Sequence, residues 1–237
     1  MAQRSTPQPV KNVVLVHGAF AEGSSWSKVI PLLQTQGLQV TSVAIPLTSF
    51  ADDVAATRRA IAAQQGPVIL VGHSYGGVVI TEAGNDPQVV GLVYAAAFAP
   101  DAGQSITEIS AKFPKPAGLD KLVPLADGFL LLSPEGIAQD FAQDLTNQEQ
   151  ALLVAVQPQT AGSLFHATPT AAAWHEKPTW YIVASHDRMI APEQEQSMAQ
   201  QMHATTTVLS SSHVVMLSQP NQVAKVIEEA VAGGSTR

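Results

Sequence analysis

Ser74 lies in the run Gly72-His73-Ser74-Tyr75-Gly76, directly after the apolar residues 67–71 and shortly before a second apolar run that starts at Val78. Glycines two residues before and two residues after a serine are typical of the sharp strand-to-helix turn called a nucleophile elbow. Larger side chains at these positions would collide with the neighbouring strand and helix. The sequence therefore predicts that Ser74 is a nucleophile. This placement disfavours the alternative, a glycine-rich turn with an inert serine.

The predicted nucleophile needs a histidine that takes its proton and a carboxylate that orients the histidine. In chains with this elbow, the acid and then the histidine follow the serine. Of the seven histidines, His213 lies between the last β-rich run and the final helical segment, where the general base belongs. We predict His213 as that base.

The predicted acid is Asp187, because it follows the strand-like residues 179–184, which form the last such run but one. Asp101, which follows an earlier strand-like run, is the rival. An aspartate at position 187 is also suited to closing a turn or capping the next helix. Arg188 is adjacent, and we expect it to pair with Asp187 and to lower the pKa of that carboxyl.

An acyl-transfer intermediate carries an oxyanion that needs preorganised N–H donors. We predict two backbone donors, the N–H of Tyr75 after the nucleophile and the N–H of Ala19 in the loop after the first strand. Phe20 is the alternative to Ala19, and Gly18 lets this loop approach the substrate closely. The chain has neither of the common phosphate-binding glycine motifs, which disfavours a nucleotide site.

Strand-like and helical segments alternate along most of the chain, which predicts an α/β fold with a mostly parallel, doubly wound sheet. The strand-like segments are residues 10–16, 38–45, 67–71, 89–96, 179–184 and 205–209. The helical segments are residues 24–33, 52–65, 192–202, 222–232 and a run from residue 78.

Residues 101–177 interrupt this alternation with six prolines and an apolar run at residues 129–132. Helical character returns between residues 134 and 156. We predict a cap at 101–177, inserted into a core made of residues 1–100 and 178–237. The alternative is a continuous core with irregular loops.

Composition narrows the classes of partner. The chain has 237 residues, a net charge of −7 and no cysteine. It is long enough for one large core, and its acidic balance argues against a nucleic-acid partner. Without cysteine, disulfides and thiolate metal sites are excluded, and we predict no metal site. No segment is apolar enough to span a membrane, so we expect a cytoplasmic protein, although removal of a signal peptide stays open.

Four segments of this sequence resemble the α/β-hydrolases, and more narrowly the plant methylesterases, the hydroxynitrile lyases and their bacterial esterase relatives. These segments are residues 14–19 with Trp26, residues 70–77, residues 95–101 and residues 212–220. The resemblance covers nearly the whole chain. It implies an eight-stranded core with a small cap, no cofactor, and catalysis by Ser74, Asp187 and His213.

Two positions separate the branches of this group. The lyases that the chain resembles use a threonine in the loop after the first strand and a lysine directly after the catalytic histidine. The matching residues here are Gly18 and Val214. Both departures favour ester hydrolysis over cyanohydrin cleavage.

A pocket in such a fold lies at the carboxyl ends of the strands, beneath the cap. Five aromatic residues are the predicted substrate-binding residues: Phe20, Phe98, Phe129, Phe165 and Trp174. Each is equally suited to ordinary core packing. As a set they indicate an apolar pocket for small or medium neutral esters.

The sequence thus favours a serine-dependent carboxylic ester hydrolase with a small-molecule ester as its substrate. The alternatives are a hydroxynitrile-lyase-like or other C–C cleaving enzyme, and a non-catalytic receptor for a small ligand. Haloalkane and epoxide chemistry is disfavoured, because those reactions need an aspartate where this elbow has Ser74. A homodimer is compatible with the sequence, but no segment identifies an interface.

Overall fold

A computed structural model describes residues 9–235, and its centre is a sheet of six parallel strands. The strands are β1 (Asn12–Val16), β2 (Gln39–Val43), β3 (Val68–Ser74), β4 (Val89–Ala97), β8 (Thr179–Ala184) and β9 (Thr205–Leu209), and their order in the sheet is β2-β1-β3-β4-β8-β9. The predicted α/β fold is confirmed. Within the described residues the sheet has six strands, so the eight strands implied by the resemblance were wrong.

The middle strands are continuous apolar runs because helices cover the sheet. Every residue of β1, β3 and β8 is buried, whereas the edge strand β9 alternates between exposed and half-buried residues. Such fully buried runs are typical of parallel strands. The carboxyl ends of these parallel strands lie at one edge of the sheet. The predicted site residues lie at that edge, because they end or follow the strands β1, β3, β4, β8 and β9.

Nine helices accompany the strands in residues 9–235. They are α1 (Ile30–Thr35), α2 (Phe50–Ala62), α3 (Gly76–Ala83), α4 (Ile106–Ser110), α5 (Pro134–Gly136), α6 (Asn147–Val156), α7 (Pro192–Gln201), α8 (Val215–Ser218) and α9 (Pro220–Gly234). Helix α2 begins where the side chain of Ser49 accepts a hydrogen bond from the N–H of Asp52. Helices α4 and α6 both begin with capping boxes.

The segment between β4 and β8 contains a second, antiparallel sheet that the sequence analysis missed. Its strands are β5 (Leu122–Pro124), β6 (Phe129–Leu132) and β7 (Thr160–Ala161). The predicted helical stretch 134–156 is divided, because α5 continues as a π-helical turn over Ile137–Phe141 and α6 starts only at Asn147. These strands are two to four residues long, and β6 pairs with the distant β7 as well as with the nearby β5, so no local periodicity predicts the sheet.

One core helix was also predicted incorrectly. Residues 24–33 form a 3₁₀ turn at Gly23–Trp26 followed by the separate helix α1. The 3₁₀ turn is capped by the side chain of Glu22, which accepts a hydrogen bond from the N–H of Ser24. Among residues 9–235, no helix combines the length and the apolar character needed to cross a membrane.

Candidate active site

Ser74 is the last residue of β3 and has a backbone φ of 53°. A non-glycine residue in this region is strained by about 1–3 kcal/mol, and the surrounding packing must hold it there. The Ser74 carbonyl accepts a hydrogen bond from the N–H of Phe98 at 3.1 Å. A Cβ on Gly76 would lie 2.6 Å from the carbonyl oxygen of His17, so only glycine fits where α3 begins. The strand, the turn and the loop after β1 therefore fix Ser74 together.

Asp187 and His213 form a buried hydrogen-bonded pair. His213 Nδ1 donates to Asp187 Oδ2 at 2.5 Å, and both side chains are almost completely buried. The other oxygen, Oδ1, accepts from the N–H groups of Met189 at 2.7 Å and Ile190 at 2.9 Å. Asp187 therefore closes the turn after β8 and also orients the imidazole, so the two roles considered for it occur together.

Asp101, the rival acid, and Arg188, the expected cation, have partners other than His213 and Asp187. Asp101 is half-exposed, and its Oδ1 accepts from His175 Nε2 at 2.9 Å. Arg188 does not pair with Asp187 as predicted, since its Nε lies 3.0 Å from Oδ1 of the buried Asp140. The Asp187 carboxylate is instead bound by two backbone N–H groups and by the imidazole.

His73 has a role that its place in the elbow motif did not reveal. Its Nε2–H donates to the backbone carbonyl of His213 at 3.0 Å. Burial lowers the pKa of His73 well below its ordinary value, and the neighbouring His213 lowers it further. The neutral imidazole of His73 therefore anchors the loop that carries His213.

The two predicted oxyanion donors have no other partner in the described part of the chain. Neither the Ala19 nor the Tyr75 backbone N–H donates to an acceptor within residues 9–235. The N–H of Phe20, the alternative donor, is bound to Thr160 Oγ1 at 3.2 Å. This favours Ala19 over Phe20. Thr160 lies in β7, far along the chain, so no local sequence pattern predicts this contact.

The side chain of Tyr75 is held by a buried aspartate. Tyr75 Oη donates to Asp53 Oδ2 at 2.8 Å, and Asp53 Oδ1 accepts from the N–H of Leu47 at 2.8 Å. Burial raises the pKa of Asp53 to about 6, although the hydrogen bonds from Tyr75 and Leu47 act in the opposite direction. The Leu47 carbonyl in turn accepts from the N–H of Ala161 in β7 at 2.9 Å. Strand β7 therefore contacts Phe20, the neighbour of Ala19, and Leu47, which binds the aspartate that holds Tyr75.

A cavity of about 520 Å³ opens beside Ser74 and His213. Its other wall residues are mostly apolar and come from the strand ends and from the segment between β4 and β8. They include the predicted Phe20, Phe98 and Phe165, together with Ile106, Phe113, Leu119, Leu122, Phe141, Met189 and Ile190. The charged wall residue Lys115 pairs with the exposed Asp120. Ser74 and His213 thus both line an apolar chamber.

Two of the predicted substrate-binding residues do not line this chamber. Phe129 lies in β6, where it pairs with Ala161, and it packs against the core instead. Trp174 is buried behind β4, with its indole N–H donating to the carbonyl of Pro100 at 3.1 Å. The sequence indicated apolar character at both positions but not the direction in which each side chain points. Among residues 9–235, no three His, Asp or Glu side chains are arranged to hold a metal ion.

Comparison with known proteins agrees with this arrangement of strands. The profile of the Alpha/beta hydrolase family matches residues 13–226, which is most of the chain. The chain belongs to the alpha/beta hydrolase family. As in other members of that family, the elbow connects a central strand to the helix that follows it.

This alpha/beta hydrolase is similar to two enzymes with hydrolytic names. It is 28% identical to a pyrethroid hydrolase of Sphingobium wenxiniae, over 93% of this chain and 87% of that protein. It is 25% identical to the polyneuridine aldehyde esterase of Rauvolfia serpentina, over 92% of this chain and 94% of the other. The crystal structure of a pyrethroid hydrolase from Sphingobium faniae superimposes with a TM-score of 0.81, covering 94% of this chain and 98% of that one at 21% identity. This last likeness concerns the fold alone.

Proposed function

We propose that this alpha/beta hydrolase is a serine-dependent carboxylic ester hydrolase that works through an acyl-enzyme on Ser74. The observation that carries the proposal is the buried 2.5 Å hydrogen bond between His213 and Asp187, at a cavity whose wall also includes Ser74. A hydrogen bond from the imidazole to a carboxylate fixes the tautomer whose Nε2 can accept a proton. The esterase and hydrolase names of the relatives agree with this chemistry.

In the proposed reaction, Ser74 Oγ attacks the ester carbonyl carbon while His213 Nε2 takes the hydroxyl proton. The resulting oxyanion accepts hydrogen bonds from the N–H groups of Ala19 and Tyr75. The C–O bond to the alcohol then breaks, and His213 returns the proton to the departing oxygen. A water molecule, deprotonated by His213, then attacks the acyl carbon. The bond between that carbon and Ser74 Oγ breaks, His213 returns the proton to Ser74 Oγ, and the acid is released. Asp187 stays ionised and stabilises the imidazolium in both halves.

The proposed substrates are small or medium neutral esters. The chamber of about 520 Å³ is lined mainly by aromatic and aliphatic side chains. Burial of apolar acyl groups there is favourable. A negative charge on the substrate would lose its hydration, and Lys115, the lysine of the described wall, already pairs with Asp120. We further propose that residues 101–177 act as the cap over this chamber, since they supply Ile106, Phe113 and Leu119.

Cyanohydrin cleavage is disfavoured by the packing at Gly18. A Cβ at this position would lie 2.6 Å from the Cβ of Ser74, so the threonine of the lyase pattern does not fit this backbone. The other lyase position is the completely buried Val214, where a lysine ammonium would lose its hydration. A non-catalytic receptor has no need for the buried pairing of Asp187 with His213.

The test is hydrolysis of p-nitrophenyl esters from acetate to decanoate by the wild type and by Ser74→Ala. We expect serine-dependent turnover, with a loss on the order of 10⁴-fold in the variant. Ser197→Ala, which changes an exposed serine of α7, is the matched control and should keep wild-type rates. Near-normal turnover by Ser74→Ala would rule out the acyl-enzyme mechanism. If the folded wild type hydrolyses no ester, cyanohydrin cleavage becomes the next assay.

A further inference from the structure

Glu195 is a buried carboxyl that the proposed reaction does not yet use. It lies on α7, its side chain is completely buried, and its Oε2 accepts from the N–H of Ala184 at 2.9 Å. Ala184 ends β8, three residues before Asp187. The second oxygen, Oε1, has no donor among residues 9–235. The Asp187 carboxyl lies within hydrogen-bonding reach of Glu195.

While His213 is the neutral base that the proposed reaction needs, no positive charge within the described chain compensates for this pair of carboxyls. Within the described chain, no Lys, Arg or His forms an ion pair with Glu195. The titratable groups that face it are Asp187 and the Tyr181 hydroxyl, and Tyr181 already donates to the carbonyl of Ala97. His213 binds the Asp187 side of the pair. Two adjacent buried carboxyls without a cation cannot both be ionised, so the pair retains one proton.

The geometry decides which carboxyl holds that proton. Asp187 already accepts three N–H hydrogen bonds, from Met189, Ile190 and His213, which stabilise its charged form. Glu195 accepts only one, from Ala184. Burial, together with the adjacent negative charge of Asp187, raises the pKa of Glu195 well above its ordinary value. The proton therefore belongs to Glu195.

We propose that Glu195 is a positioning residue, an inference that rests on the proposed function: it stays protonated and donates its O–H to Asp187. The added hydrogen bond holds the Asp187 carboxylate in the orientation that serves His213. The protonated Glu195 provides this hydrogen bond without adding a second negative charge beside Asp187. A second charge would favour the protonated imidazole of His213 at the pH where His213 must act as a base.

The test compares Glu195→Gln, Glu195→Leu and the exposed control Glu193→Gln on the same helix. A glutamine amide keeps both contacts, since its carbonyl accepts from Ala184 and its NH₂ donates to Asp187. We expect Glu195→Gln to stay within about threefold of the wild-type kcat/KM and Glu195→Leu to lose about tenfold in kcat with little change in KM. Glu193→Gln should match the wild type. A Glu195→Leu variant with wild-type kcat would overturn the positioning role.

The pH profile distinguishes this role from a merely structural one. The acid limb of kcat/KM reports the ionisation of His213 in the free enzyme. If Glu195 is neutral, Glu195→Gln leaves that limb where it is. If Glu195 is ionised in the wild type, the substitution removes a negative charge and shifts the limb to lower pH. A downward shift of about half a unit or more would contradict the proposal.

Infrared difference spectroscopy of Glu195→Gln against wild type tests the proton without any substrate. We expect the carbonyl band of a protonated carboxylic acid in the wild type at neutral pH and its loss in the variant. Absence of the band overturns the inference even if Glu195→Leu does not fold. This measurement is separate from the proposed function, because ester turnover by Ser74→Ala would overturn the hydrolase mechanism and leave the infrared result unchanged.

Discussion

At the residue scale, the proposed chemistry depends on how one carboxylate is held. Asp187 accepts from the imidazole of His213 with one oxygen and from two backbone N–H groups with the other. Those N–H groups belong to the turn after β8, so the turn and the imidazole are oriented by the same side chain. An amide in place of this carboxylate would present an NH₂ group to one of these donors and would favour the wrong tautomer of His213.

We therefore expect Asp187→Asn to reduce kcat on the order of 10³–10⁴-fold while KM changes much less. Steady-state hydrolysis of a p-nitrophenyl ester measures this directly. Asp101→Asn is the matched control, because Asp101 is bound to His175 on the half-exposed surface. The assignment of the acid would be wrong if Asp101→Asn lost activity and Asp187→Asn retained it.

The sequence predicts Ser74 from its flanking glycines, and it predicts Asp187 and His213 from their places after successive strands. The structure pairs Asp187 with His213, and the catalytic roles of all three stay predictions. Glu195, Asp53 and Thr160 were missed, since each meets its partner through the tertiary fold. Glu195 looks like an ordinary helix acid next to the exposed Glu193, and nothing in the local pattern separates a buried carboxyl from a solvated one.

At the scale of elements, helix α2 is tied to the elbow through Asp53 and Tyr75. The hydrogen bond from Tyr75 Oη satisfies a carboxyl that has no contact with solvent, and Leu47 connects the same carboxyl to β7. The pKa of Asp53 is raised to about 6 in the folded state, above its ordinary value of 3.8. Between these two pKa values the unfolded chain releases the proton while the folded protein retains it. The contribution of Asp53 to the free energy of unfolding therefore falls as the pH rises from 3.8 to about 6, and it is constant above that pH.

The hydrogen bond between Tyr75 and Asp53 predicts that Tyr75→Phe lowers the free energy of unfolding by an amount that depends on pH. Above pH 6 the substitution leaves an ionised buried oxygen without its donor, and we expect a loss of about 1–3 kcal/mol in the free energy of unfolding. At pH 5, where Asp53 is protonated, the loss should be smaller. Urea unfolding at pH 5 and pH 8 measures both values.

Tyr94→Phe is the matched control for this measurement. Tyr94 is equally buried, but its hydroxyl lies 2.9 Å from that of the neutral Thr81. Its cost should therefore be the same at both pH values. Equal costs for Tyr75→Phe at the two pH values would contradict the ionisation of Asp53 in this range.

Some helices and strands were predicted from the sequence more accurately than others. The core strands β8 and β9 have the boundaries that their β-rich runs predicted, and the others differ by a few residues. The small sheet β5-β6-β7 was missed, because Phe129–Leu132 is uniformly apolar and its partners β5 and β7 are only three and two residues long. Such pairing depends on the fold around it rather than on a period of two.

At the scale of the whole molecule, the chamber lies where the strand ends meet the segment between β4 and β8. Phe165 comes from that segment and stacks on Phe20 of the core, with 6.4 Å between ring centroids. Phe129 comes from the same segment and is likewise half-buried, yet it lies outside the chamber. The two phenylalanines therefore separate the effect of chamber size from the effect of packing in general.

We expect kcat/KM to rise with acyl length by up to about fourfold per methylene until the chamber is full. Phe165→Ala enlarges the chamber and should move the optimum to a longer acyl chain, whereas Phe129→Ala should leave the optimum unchanged. The p-nitrophenyl series with each variant gives both results. An optimum that moves equally in both variants would show that the chamber does not select the acyl group.

The proposed function depends on covalent acylation of Ser74, which labelling with an alkyl fluorophosphonate followed by peptide mass spectrometry tests. The serine oxygen attacks phosphorus, fluoride leaves, and His213 takes the hydroxyl proton. We predict one phosphonyl group per chain, on the peptide that contains Ser74, with parallel loss of ester hydrolysis and no labelling of Ser74→Ala. Ester hydrolysis that continues in fully labelled enzyme, or a label on another residue of the active protein, would contradict the account.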